Sequence, residues 1–101
     1  MRKAKVFNFG KIAGYLLEKN GKYIFLYEDN YSGQPVSLSM PLEKKEYVFD
    51  GFPPFFDGLL PEGTQLEALL RLSKIDRTDL FSQLLLVGKD LVGSVTVEDD
   101  K

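Results

Sequence analysis

A single α+β domain, built as a small, mainly antiparallel sheet with about three helices packed against it, is what this sequence predicts. Three observations carry the prediction. The first half is rich in β-branched and aromatic residues separated by turn signals. From Gly51 to Gly88 apolar residues recur at helical spacing, and a final alternating stretch then reads as one more strand. Strands, then helices, then a strand is the order of an α+β domain. At 101 residues, area scaling gives roughly 5,800 Å² exposed when folded, enough burial for one core and too little for two.

The elements follow in order. Lys3–Phe9, Ile12–Glu18 and Lys22–Tyr27 read as strands. Gly10 marks the first turn and Asn20-Gly21 the second, since a type I′ hairpin needs positive φ at both central residues. In the third strand Tyr23, Phe25 and Tyr27 share one face while Ile24 and Leu26 share the other, which predicts a central strand at least partly covered on both sides. After a polar loop, Val36, Leu38, Met40 and Leu42 alternate with Ser37, Ser39 and Pro41, predicting an edge strand. Glu43–Glu46 then reads as a solvated loop.

Pro53-Pro54 opens a helix carrying Phe55, Phe56, Leu59 and Leu60, and Pro61 ends it. Thr64 and Glu67 have the spacing of a capping box ahead of Leu66, Leu69 and Leu70, which predicts a second helix to about Ser73. A third runs from near Thr78 through Leu80, Phe81, Leu84 and Leu85, with Gly88 as its C′ residue. Leu91–Glu98 is the last strand, so the domain spans residues 1–98 and Asp99, Asp100 and Lys101 form a frayed charged tail.

Composition excludes several function classes. With 13 basic and 15 acidic residues, the chain lacks the clustered Lys and Arg that a phosphate backbone requires, so no direct nucleic-acid partner is expected. No apolar run approaches the ~20 residues of a membrane helix, and Lys5, Asn8 and Lys11 interrupt any signal-peptide core. A soluble, cytoplasmic chain with no membrane partner is expected. The chain has no cysteine and no histidine, which removes disulfides, thiol nucleophiles, thiolate or imidazole metal sites and any Ser-His-Asp arrangement. No enzyme activity, cofactor or metal is expected.

The motifs that remain are weak for chemistry. Gly58 to Thr64 spaces two glycines like a phosphate loop but lacks its lysine, and Pro61 removes a backbone donor. The carboxylate pairs Asp57 with Glu62 and Asp76 with Asp79 are better explained by a turn and by helix capping than by acid–base work. The apolar cluster Phe52, Phe55, Phe56, Leu59 and Leu60 is mainly core, with part available as a contact patch. Leu85, Leu86 and Val87 are consecutive on a helix, so at least one must face outward.

Taken together, Ser37-Leu-Ser-Met-Pro-Leu42, Phe55-Phe-Asp-Gly-Leu-Leu-Pro-Glu-Gly63, Asp79 with Phe81, Val87-Gly-Lys-Asp90 and Val92-Gly-Ser-Val95 resemble the N-terminal subdomain of HipA-family kinases. The resemblance covers about Val6 to Val97. It implies a domain that packs on the N-lobe of a serine/threonine kinase whose catalytic parts all lie downstream. It also resembles the stand-alone, HipS-like form, an antitoxin working beside a HipT-like kinase and a HipB-like helix-turn-helix protein, and the Met1 start and charged ending agree with that form. By the same resemblance Leu59, Leu60, Pro61, Glu62, Gly63, Thr64 and Gln65 are expected to contact the kinase. Relatives carry a bulkier residue just after this stretch, where this chain has Thr64 and Gln65. The implied function is a binding module that neutralises the kinase toxin, with a structural subunit that completes the split kinase as the alternative.

Overall fold

The computed structural model describes residues 1–91 and 93–100. Its order is β1 (Arg2–Asn8), β2 (Lys11–Lys19), β3 (Lys22–Tyr27), β4 (Glu46–Phe49), α1 (Pro54–Asp57), α2 (Gly63–Ser73), α3 (Leu80–Val87), a 3₁₀ turn (Gly88–Asp90) and β5 (Val95–Asp99). The sheet is five-stranded and wholly antiparallel, in the order β4-β3-β2-β1-β5. The α+β expectation therefore holds.

The hairpins form as the turn chemistry requires. Asn20 and Gly21 sit at φ 53° and 79°, and Phe9 and Gly10 at 51° and 80°, so both turns have the positive φ pair of a type I′ connection. A register irregularity between Val6 and Phe7 lets Val6 pair with Gly14 and Phe7 with Ile12. Gly14 is required there, because a Cβ would lie 2.3 Å from the Leu26 carbonyl oxygen.

Helices cover one face of the sheet. Ala4, Val6, Leu16, Phe25, Tyr27, Val95 and Val97 meet Phe56, Phe81 and Leu84 in one buried cluster. Aromatic contacts knit it, with Phe25 edge-on to Tyr27 at 4.8 Å and tilted against Phe56 at 5.9 Å. At one corner Arg2 clamps the sheet to α3. Its guanidinium donates to Glu18 Oε1 and Oε2 at 2.7 and 2.8 Å and to Ser82 Oγ at 2.9 Å, reaches Asp79 Oδ1 at 2.9 Å, and lies 4.8 Å over the Phe81 ring. The total exposed area, 6459 Å², exceeds the roughly 5,800 Å² expected for this size, and α2, which buries no residue, is one reason.

Several expectations are corrected. Val36–Leu42 is not a strand, and the edge position belongs to Glu46–Phe49, so Glu46 is not part of a solvated loop. The reason is local: Ser37 Oγ accepts from the Ser39 amide at 3.2 Å and the Met40 amide donates to Ser37 O at 3.0 Å, which closes a turn that competes with a ladder. Tyr27 then anchors the loop, its hydroxyl donating to Met40 O and accepting from the Val36 amide. Val36 and Met40 are buried while Leu38 is 96% exposed. The middle strand is β2, not β3, which lies second from the edge.

The first helix stops at Asp57, although i→i+3 bonds from the Leu59 and Leu60 amides to Phe56 O and Asp57 O carry the turn on to Pro61. The capping box does not form. Gly63, at φ 60°, brings the chain into α2 two residues early, so Glu62 is the N-cap and Glu67 accepts from Arg77 at 2.6 Å instead. Gly88 is not a left-handed C′ residue: its φ is −58°. It is needed because a Cβ would sit 2.1 Å from Val97 O, where the end of α3 rides on β5. The last strand starts at Val95 rather than Leu91, and Val92 and Lys101 lie outside the described residues. Asp99 and Asp100 do not fray: Asp99 ends β5, the Asp100 amide donates to Lys3 O at 3.0 Å, and its carboxylate pairs with Lys3 at 3.2 Å. No helix among the described residues is long and apolar enough to cross a membrane.

Candidate interaction groove

The stretch after α1 turns sharply because each residue is constrained in a different way. Leu60 is buried and pins the turn to the core, Pro61 blocks continuation of the helix, and Gly63 supplies the positive φ that starts α2 in a new direction. What results is a groove of about 450 Å³ between the α1–α2 turn and the end of α3. Leu59, Leu60, Pro61, Gln65 and Leu69 form one wall, and Leu86, Val87, Asp90 and Leu91 the other.

Four of the seven residues expected to contact a kinase thus come together: Leu59, Leu60, Pro61 and Gln65. Leu60 belongs to the core cluster and presents only an edge. Glu62, Gly63 and Thr64 are exposed but do not line the groove.

Sequence reasoning missed most of the surrounding apolar surface. Leu86 proves to be the outward member of the consecutive apolar run, at 48% exposure. On α2, Gln65, Leu69 and Leu72 fall at i, i+4 and i+7 and therefore share a face, and Leu72 is 83% exposed. The signal was present in Leu72, which does not belong to the Leu66, Leu69, Leu70 stripe.

Asp90, which lines the groove, forms no ion pair among the described residues, and neither do Arg71 on α2 or Lys89 next to Asp90, so charges of both signs are available to a partner. Of the other candidate carboxylates, Asp79 caps a helix and Asp76 closes the turn before it. Asp79 is the N-cap of α3, its Oδ1 accepting from the Ser82 amide at 3.2 Å, and Asp76 Oδ1 accepts from the Thr78 amide and hydroxyl at 2.9 Å each. Burial pushes the Asp79 carboxyl up, but the hydrogen bonds from Arg2 and Ser82 outweigh it and hold it below its ordinary value. Hydrogen bonding to Arg2 likewise lowers Glu18, and burial followed by the bond to Glu18 pushes Tyr23 up to about 12. These shifts belong to the structural corner and lie outside the groove.

Known proteins bear on this arrangement. A protein of Haemophilus influenzae, itself uncharacterized, is 35% identical over 101 residues, which is all of this chain and 95% of that protein. A solved structure described as the N-terminal domain of HipA toxin matches with a TM-score of 0.80 and 31% identity, covering 100% of this chain and 94% of that one. The family model for the HipA N-terminal domain matches residues 4–98. The chain belongs to the HipA N-terminal domain family.

Proposed function

We propose that this chain is a binding module that docks on a HipA/HipT-like serine/threonine kinase toxin and neutralises it, as the antitoxin of a three-component toxin–antitoxin system. The observation that carries this reading is the apolar groove beside α2, a helix that buries none of its own residues. Such a helix needs another surface to cover Leu69 and Leu72. A HipA-type kinase that lacks this domain supplies one. The Haemophilus influenzae relative, of which this chain covers 95%, supports a stand-alone form. A HipB-like helix-turn-helix protein is the third member, and the complex works in the cytoplasm. The contact set is Leu59, Leu60, Pro61, Glu62, Gly63, Thr64 and Gln65, extended by Leu69, Leu72 and Leu86.

Neutralisation requires preferential binding to an inactive conformation of the kinase, since equal affinity for both states shifts nothing. A second reading, a subunit that completes the kinase without inhibiting it, draws on the same unburied α2. Titrating the chain into its cognate kinase at fixed ATP separates them. A saturable fall in autophosphorylation near equimolar ratio is expected, and Leu72→Glu or Leu86→Glu should weaken it at least tenfold. Unchanged or increased phosphorylation with stable co-purification favours the completing subunit, and failure to associate overturns both.

A further inference from the structure

The sheet has a second face, opposite the one on which the helices pack. Leu17, Ile24 and Val48 lie directly opposite one another across β2, β3 and β4, and Tyr15 and Leu26 form the next row. Phe7 continues the patch on β1. None of these residues packs against the core cluster. Val48 is 56% exposed. A sheet that faces water on one side normally alternates apolar with polar residues, whereas here the outward positions of β2 and β3 in these two rows, Tyr15, Leu17, Ile24 and Leu26, are apolar as well.

The ends of the rows say what fits. One row reads Lys5, Tyr15, Leu26, Glu46 across β1, β2, β3 and β4, and its neighbour reads Lys3, Leu17, Ile24, Val48. The first row carries a cation at one end and an anion at the other, with apolar residues between. A two-fold axis parallel to the strands and midway between β2 and β3 sets β1 over β4 of a second molecule and β2 over its β3. Tyr15 then meets Leu26, Leu17 meets Ile24, and Lys5 meets Glu46, each contact made twice as an isologous interface requires. Glu46 forms no ion pair among the described residues, and Lys5 has only a 3.9 Å contact with Asp100, which lies nearer to Lys3 at 3.2 Å. The Lys3 amine lies 4.5 Å over the Tyr15 ring and 3.2 Å from the Asp100 carboxylate, so that end of the row is already partly occupied within the chain.

We propose that the open sheet face is a self-association surface whose occupant is a second copy of this chain, packed sheet on sheet. Aligned sheets keep their strand directions within about 30° of each other, which keeps the two inner rows opposed. Under this axis β1 to β4 overlap, and four strands at ~4.8 Å spacing, the longest of nine residues, make a plate of roughly 15 by 30 Å, about 450 Å² per copy. A standard stable interface buries ~800 Å² per partner, so the dimer is of the weak, concentration-dependent kind. The groove at α2 and α3 lies on the helix side and stays open in the dimer.

Sedimentation velocity on the whole chain over about 1–200 μM at low salt tests this, with circular dichroism as the check on folding. A monomer–dimer shift is expected. Ile24→Lys should abolish it, and Lys5→Glu or Glu46→Lys should each weaken it at least fivefold by opposing like charges. The double variant Lys5→Glu/Glu46→Lys should restore it, an outcome that general destabilisation cannot produce. A monomer throughout the range overturns the proposal. So does a dimer that survives Ile24→Lys, which places the contact elsewhere, or one that the double charge swap does not recover. Protection of Leu17 and Ile24 only when the cognate kinase is added assigns the face to the kinase and overturns the second copy as occupant.

Discussion

Arg2 shows how much a single exposed-looking residue can organise. It reaches Glu18 on β2, Asp79 and Ser82 at the start of α3, and the face of Phe81, although its side chain is 39% exposed. Both carboxylates are held below their ordinary values, Asp79 against the opposing effect of burial. A group whose folded pKa is depressed contributes stability above its unfolded pKa, and that contribution is lost as pH falls through the folded value. Stability is therefore expected to fall from about pH 4 downward, starting at the ordinary Asp and Glu range. Arg2→Met should flatten that part of the profile and cost about 1–2 kcal/mol at pH 7, modest because the network is partly solvated. Urea unfolding of both proteins from pH 7 to pH 2.5 checks this, and parallel profiles would remove Arg2 as the cause.

Among the elements, α2 and β4 depart furthest from their sequence signals. Helix α2 has a regular leucine pattern, yet it buries no residue, and its N-cap Glu62 makes no side-chain capping bond. Few buried contacts mean a low cost of local opening. Amides of Leu66–Leu70 are thus expected to exchange with deuterium at least a hundredfold faster than those of Leu16 and Phe25 in the middle of the sheet. Adding the cognate kinase should slow α2 selectively if the groove is its docking site. Protection of α2 in the free chain equal to that of β2 would contradict this account. Strand β4, by contrast, is short, and its outward residues Glu46 and Val48 alternate with Tyr47 and Phe49, which pack against the core cluster.

For the molecule as a whole, one aromatic cluster joins the two layers. Phe25 sits under Phe56, which is itself edge-on to Phe55 at 5.1 Å, and both Phe25 and Phe56 are fully buried. Truncating such a side chain removes transfer energy and leaves a cavity. Phe56→Ala is expected to cost about 3–5 kcal/mol, a large fraction of the stability of a domain this size. It should also loosen the α1–α2 turn that forms one wall of the groove. Equilibrium denaturation measures the first effect and kinase binding the second. A cost under about 1 kcal/mol would mean that α1 does not join the layers as described.

The sequence by itself determined the fold class, the three leading strands, the two hairpin turns, the α3 cap at Asp79 and the absence of cysteine and histidine. Each of these rests on short-range chemistry: strand alternation, positive φ at Asn20-Gly21, and a carboxylate three residues before the Ser82 amide. It also pointed to Leu59–Gln65, of which four residues line the groove. Tertiary structure alone decided the rest. Val36–Leu42 has the alternation of a strand, but the Tyr27 hydroxyl holds Val36 and Met40 on either side of the Ser37–Met40 turn, and the distant bonds join the local ones against a ladder. Gly88 looked like a cap, and its need for glycine comes from a carbonyl on β5. Which leucines face outward, and which face of the sheet the helices leave, depend on where the helices dock, because periodicity names the faces of an element without saying which face finds a partner.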